Sequence, residues 1–321
     1  VLFSVPMLLL ALSLVLASVK LTVENFDDLM NQGTGVLAAD NLIYLYLCMA
    51  VLKLIHELAH ALVCRYFSGE VHSLGLMFIL FIPLPYMDAT SSWAFKQRSQ
   101  RILVSGAGIV SELFIAAIAV IVWANTGAGV INSLAFNLIF IASVSTLLFN
   151  ANPLLKFDAY YMLSDAISIP NLYQRSRQQL TYLFERYAFG CRNLTATGHT
   201  RQESIWLAAY GLLSIVYRFV IFWGIVLFVV DQYLILGLIM ATFCAFLWFI
   251  LPPFKLLKYL IKNPRIARRR SVAKRNTAVA LTLVALFLLL IPVGNSIRLP
   301  GVVEATHYRQ VNAAVSGRID K

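Results

Sequence analysis

Leu54-Ile55-His56-Glu57-Leu58-Ala59-His60-Ala61 lies inside an apolar run that extends from Leu42 to about Phe67. A run of that length can cross a bilayer as a helix. On a helix the two imidazoles, four residues apart, share a face and can hold one metal ion. Glu57, one step round, can reach a water beside that ion. Chance would produce H-E-x-x-H in roughly two of a thousand chains with this content of His and Glu. A carboxylate and two imidazoles are costly to keep in hydrocarbon, and residues of that kind mark function.

Composition agrees with the membrane reading. Hydrophobic residues make up 60% of the 321, charged residues 13%, and mean hydropathy is +0.77. That profile excludes a soluble globular enzyme. The net charge of +11 sits in loops between apolar segments, as membrane topology requires, so no nucleic-acid partner is expected. Cys48, Cys64, Cys191 and Cys244 are scattered and form neither a disulfide framework nor a metal pattern. The chain opens at Val1 within an apolar stretch and without Met, so it reads as a piece of a longer protein rather than one bearing a cleaved signal peptide.

Outward from the motif, the apolar segments suggest an all-α polytopic membrane protein with about seven transmembrane helices. The expected spans are Val1–Ser18, Leu42–Phe67, Ile102–Ala124, Val130–Phe149, Ile205–Val230, Tyr233–Leu251 and Thr277–Gly294. Lys20–Asp40 reads as a polar loop, and Pro252-Pro253 as the stop of the sixth span. The segment 71–86 fails as a span. Its apolar part is short and ends in Pro83 and Pro85, so it reads as re-entrant or as a β-hairpin. Ser105, Gly106, Ala107, Gly108 and Ser111 form the small-residue stripe that lets helices approach closely. Glu112, on the face of Ser105 and Gly108, is a second intramembrane carboxylate. Ser143, Thr146 and Asn150 would share one face of the fourth span.

Lys255–Arg275 holds nine Lys or Arg and no acid, which assigns it to the cytoplasmic side. Alternation from there puts the Val1 end inside, Lys321 outside and the motif near the cytoplasmic face. The chain divides into a first helix and extracytoplasmic loop (1–40), a core (41–165), a cytoplasmic segment (166–204), three helices (205–296) and extracytoplasmic strands (297–321).

Two imidazoles alone make a weak zinc site, so a third donor is needed. His199 and His307 lie in distant loops. His72 is nearer and is a candidate to line the cavity, as are Glu112, Ser143 and Thr146. The best carboxylate is Asp158, in Asn150-Ala-Asn-Pro153-Leu-Leu-Lys-Phe-Asp158. Chain broken by Pro beside a membrane helix is tolerated where it is buried in protein or lines a cavity.

His56-Glu57-Leu58-Ala59-His60, followed by Asn150-x-x-Pro153-x-x-x-x-Asp158, resembles the paired signature of the site-2 protease family of intramembrane zinc metalloproteases, and is closest to its bacterial peptide zinc metalloprotease type. The likeness covers about Leu42 to Asp165. It implies that His56, His60 and Asp158 bind Zn²⁺, that Glu57 activates water, and that the 71–86 hairpin presents substrate in extended form. The family usually has Gly after the metal-binding Asp, where this chain has Ala159. A φ above zero there would strain Ala.

The tail, Pro300–Glu304 and Val311–Ile319, resembles the opening strands of membrane-fusion adaptor proteins of secretion systems. It implies secretion-complex subunits as partners through the C-terminal region.

The expected activity is hydrolysis of a membrane-embedded or membrane-delivered peptide in a bacterial inner membrane. Asn150 would contact substrate backbone or the developing oxyanion. Two further readings stand beside it: a non-proteolytic component of a peptide export or assembly complex with structural or vestigial zinc, and a metal-dependent hydrolase of lipids or small molecules.

Overall fold

A computed structural model describes residues 5–290, apart from positions 34, 80–81, 89, 192–195, 264–265 and 267–268. The adaptor-like strands expected over 297–321, His307 and the last residues of the expected seventh span lie outside the described residues. The chain divides into two compact units, Val1–Ala273 and Lys274–Lys321.

The described chain is almost entirely helical: α1 (Val5–Glu24), α2 (Phe26–Gly33), α3 (Leu42–Tyr66), α4 (Arg98–Asn125), α5 (Val130–Ala142), α6 (Asp158–Ala166), α7 (Leu172–Tyr187), α8 (Arg201–Gln232), α9 (Leu234–Ala245), α10 (Leu251–Lys262) and α11 (Arg270–Leu290). Among the described residues, five helical stretches are long and apolar enough to cross a membrane: Leu42–Tyr66, Arg98–Asn125, Val130–Asn150, Arg201–Gln232 and Leu234–Lys262. A sixth is counted if α1 and α2, bent by 77°, form one broken span.

The outer faces of these helices carry exposed Leu, Ile, Val and Phe along their length, including Leu212, Leu213, Val216 and Val220 on α8. Such a surface would drive aggregation in water and is solvated by lipid. The molecule is a helical membrane protein.

Three local expectations need correction. The region Lys20–Asp40 is a loop only in its last part, residues 35–40, because α1 runs on to Glu24 and α2 extends to Gly33. Pro252-Pro253 does not stop the sixth span. A π-helical segment, Phe246–Ile250, precedes them, and the prolines occupy the first turn of α10, where the missing N–H groups are not needed. The basic stretch from Lys255 therefore begins within a helix. Ser143–Asn150 is also π-helical, continuing α5 with wider turns.

The core that positions the motif lies between α3, α4 and α5. Cys48, Leu52, His56, His60 and Cys64 are the buried residues of α3, one stripe at four-residue spacing. Leu52 and Cys48 pack against Ile141 and Ala142. Val104, Gly108 and Glu112, also at four-residue spacing and buried, meet His60 and His56 from α4.

The 71–86 segment is a two-stranded antiparallel hairpin, β1 (Leu74–Ile79) and β2 (Ile82–Met87), in the register Leu74↔Met87 to Ile79↔Ile82. Asp88 N donates to Ser73 O at 3.0 Å. Ladder bonds alternate along an antiparallel pair, so Leu74, Leu76 and Phe78 direct their backbone groups away from β2. Pro83 and Pro85, paired with Phe78 and Leu76, fall where no N–H is asked for within the hairpin. The same prolines leave the outer edge of β2 short of donors. The free edge of β1 keeps all of its own, and Leu74, Leu76 and Phe78 are exposed.

Candidate metal centre

His56 and His60 reach the centre from one turn of α3, and Asp158 from the first residue of α6. His56 Nε2 lies 3.1 Å from His60 Nε2. Asp158 Oδ2 is 3.0 Å from the first nitrogen and 3.5 Å from the second. Both imidazoles are buried and Asp158 is half-buried. These three residues could hold a metal ion, and they form the one such cluster among the described residues.

Several observations test the fit. Oxygen or nitrogen ligands 2.0–2.2 Å from a tetrahedral ion stand about 3.3–3.6 Å apart, close to the separations here. His60 Nδ1 is 2.7 Å from Val104 O. Donation of the Nδ1 proton to that carbonyl leaves Nε2 with its lone pair directed at the centre. Asp158 Oδ2 is buried and has no hydrogen-bond partner, a costly state for a carboxylate oxygen without a cation. Finally, a Cβ placed on Gly108 would lie 2.3 Å from His56 Cε1, 2.4 Å from His56 Nε2 and 2.6 Å from His60 Nε2. Glycine at 108 keeps the point between the imidazoles free of protein atoms. The donor set suits Zn²⁺.

Asp158 is held from several directions. Asn152 Oδ1 accepts from Leu154 N at 2.9 Å, closing the turn across Pro153. From α8, Tyr210 OH donates to Pro153 O at 3.1 Å and Ser214 Oγ to Leu154 O at 2.7 Å. Arg101 Nε pairs with Asp165 Oδ1 at 2.6 Å, fastening α4 to α6. Ala159 is an ordinary helical residue of α6, and among the described residues the positive-φ residues other than Gly are Ser68, Ser168 and Asn171. Alanine there imposes no strain.

Behind the imidazoles lies a polar network. Glu112 is fully buried, and its Oε1 stands 2.9 Å from His56 Nδ1. The approach has the distance of an ion pair without the alignment of a hydrogen bond, and Nδ1 has no other partner. Lys53 Nζ donates to Glu112 Oε1 at 2.6 Å and also bonds Ser145 Oγ. Thr146 Oγ1 donates to Glu112 Oε2, and Asn150 Nδ2 reaches both oxygens at 3.4 Å. The carboxylate thus faces His56 with its charge balanced by Lys53.

Of the residues singled out from sequence, His56, His60, Asp158, Glu112, Thr146 and Asn150 come together. Asn150, expected to touch substrate, is buried with its amide turned to Glu112. Glu57 is half-buried on α3 and, among the described residues, makes no hydrogen bond or ion pair.

Ser143 is exposed and takes no part. The wide turns of the π-helical segment put Ser145, rather than Ser143, beside Asn150. His72 lies past the end of α3, exposed and 3.6 Å from Glu70, outside the cluster. Sequence reasoning missed Lys53. A lone cation on an apolar span that also faces an intramembrane carboxylate was the available signal.

The fold and site define a helical membrane protein with a His-His-Asp cluster of two buried imidazoles and a half-buried carboxylate. No protein-family model, curated protein or solved structure matches the chain.

Proposed function

We propose that the chain is an intramembrane zinc metallopeptidase of the site-2 protease type. The observation that supports this reading most is the convergence of two motifs about a hundred residues apart on a point that Gly108 leaves clear. His56, His60 and Asp158 would hold the ion. When bound, zinc supplies a Lewis acid for the scissile carbonyl and lowers the pKa of water.

Glu57 takes the proton of the attacking water as its oxygen bonds the carbonyl carbon. It returns that proton to the amine nitrogen as the C–N bond breaks. Glu57 is suited to this because no other described residue occupies its carboxylate. A helical substrate must first be unwound to offer its carbonyls, and the β1 edge at Leu74, Leu76 and Phe78 can pair with the extended segment. The helical backbone at Ala159 removes one ground for the non-proteolytic reading. We further infer seven crossings in a bacterial inner membrane, the site toward the cytoplasmic side and the C-terminal end outside.

The test is cleavage of a membrane-embedded peptide by purified Glu57→Gln protein. Metal content should remain as in the parent while turnover falls by roughly 10²–10⁴-fold, the range for loss of a general base. Undiminished cleavage would remove Glu57 from this role.

A further inference from the structure

Three cations gather on one aromatic ring away from the metal centre. Arg218 Cζ lies 4.8 Å from the centroid of Tyr173, Lys156 Nζ 5.7 Å and Arg177 Cζ 5.8 Å. None of them has a carboxylate within ion-pair distance among the described residues. Arg101, Arg175 and Lys53, by contrast, each have one.

Arg218 is held in place. Nη1 donates to Tyr173 OH at 2.7 Å, Nη2 to Ser214 Oγ at 3.0 Å and Nε to Ser214 O at 3.1 Å. Burial pushes the Tyr173 hydroxyl up, yet the Arg218 hydrogen bond and the nearby Arg218 and Arg177 charges bring it below its ordinary value. The local field is positive.

Position narrows the ligand. One face of α8, with Leu207, Tyr210, Gly211 and Ser214, is buried against protein. Another, with Leu212, Leu213, Val216, Phe219, Val220 and Phe222 on both sides of Arg218, is exposed and apolar. The cations therefore stand beside a lipid-facing helix surface. Lys156 and Arg177 are exposed. An uncompensated Arg on an apolar span calls for an anion, and a planar guanidinium beside a second cation suits phosphate.

We propose that Lys156, Arg177 and Arg218, assembled on Tyr173, bind a phosphate-bearing anion, with the headgroup of an anionic phospholipid favoured by the lipid-facing position. The site is independent of the hydrolytic reading. Because Lys156 lies two residues before Asp158, a bound headgroup would also steady the loop that carries the ligand.

The test uses the full chain purified from mixed phosphatidylcholine and phosphatidylglycerol, with retained lipids counted by native mass spectrometry during delipidation. The parent should retain phosphatidylglycerol selectively. Lys156→Gln/Arg177→Gln, both at exposed positions, should lower that retention roughly tenfold or more. Lys255→Gln/Lys258→Gln, the same charge change at exposed positions of α10, should leave it intact. Displacement of the lipid by millimolar inorganic phosphate would support the anion site and assign it to a soluble phosphate. Equal retention by both double variants, or retention of phosphatidylcholine as strong as that of phosphatidylglycerol, would overturn the proposal.

Discussion

Gly108→Ala is expected to abolish metal binding while leaving the helices intact. The added Cβ would stand 2.3–2.6 Å from imidazole atoms of His56 and His60, in the space that a shared ion needs. Local overpacking costs about 1–3 kcal/mol even when neighbours relax, and here relaxation means parting the two donors. Helix propensity works the other way, since alanine is favoured over glycine by ~1 kcal/mol in a helix interior. Stability is therefore set to hold or to fall by up to about 2 kcal/mol, as metal affinity falls by roughly a hundredfold or more. Gly106→Ala is the matched control. Its Cβ meets only the flexible end of Met162, at 3.2 and 3.4 Å, and metal content should stay near that of the parent. Metal analysis with circular dichroism on the two variants decides the matter. Parental metal content in Gly108→Ala would show that the ion lies elsewhere.

Glu112→Gln is expected to damage two properties at once. Its carboxylate faces His56 Nδ1 and is the counter-charge of Lys53. Loss of an outer partner to a ligating histidine lowers metal affinity roughly 10–100-fold. The variant also leaves Lys53 without a counter-ion. Breaking a fully buried pair costs about 3–5 kcal/mol. The loss here falls below that range because the Lys53 side chain is 25% exposed. A second substitution separates the two effects. Lys53→Met with Glu112→Gln removes the stranded charge, so thermal stability should recover while metal affinity, measured by chelator competition, stays low. If the double variant regained both, Glu112 would be no more than the partner of Lys53.

How much of this was readable in advance depends on the range of each interaction. His56, Glu57 and His60 were legible because helical periodicity alone brings them together. Asp158 was found through the broken chain at Asn152-Pro153 and the family resemblance. The side chains that hold its loop, Tyr210 and Ser214, come from α8 and carry no local signal.

In sequence Gly108 belongs to a small-residue stripe that gives room to a neighbouring helix, whereas in the structure it makes room between the imidazoles. Ser143 was placed by α-helical spacing, and the π-helical turns over 143–150 shift that face to Ser145. The bend after Glu24 and the passage of α10 through Pro252-Pro253 both depend on turns that periodicity does not encode. The hairpin was foreseen from its length and prolines, but which edge stays open follows only from the ladder register.

Zinc content of the purified chain, measured beside Asp158→Ala, bears most directly on the claim that three side chains from two distant motifs share one ion. The parent should carry about one equivalent, and the variant, left with two imidazoles, should lose nearly all of it under mild chelation. Equal zinc in the two proteins, or none in either after purification in its presence, would contradict the claim.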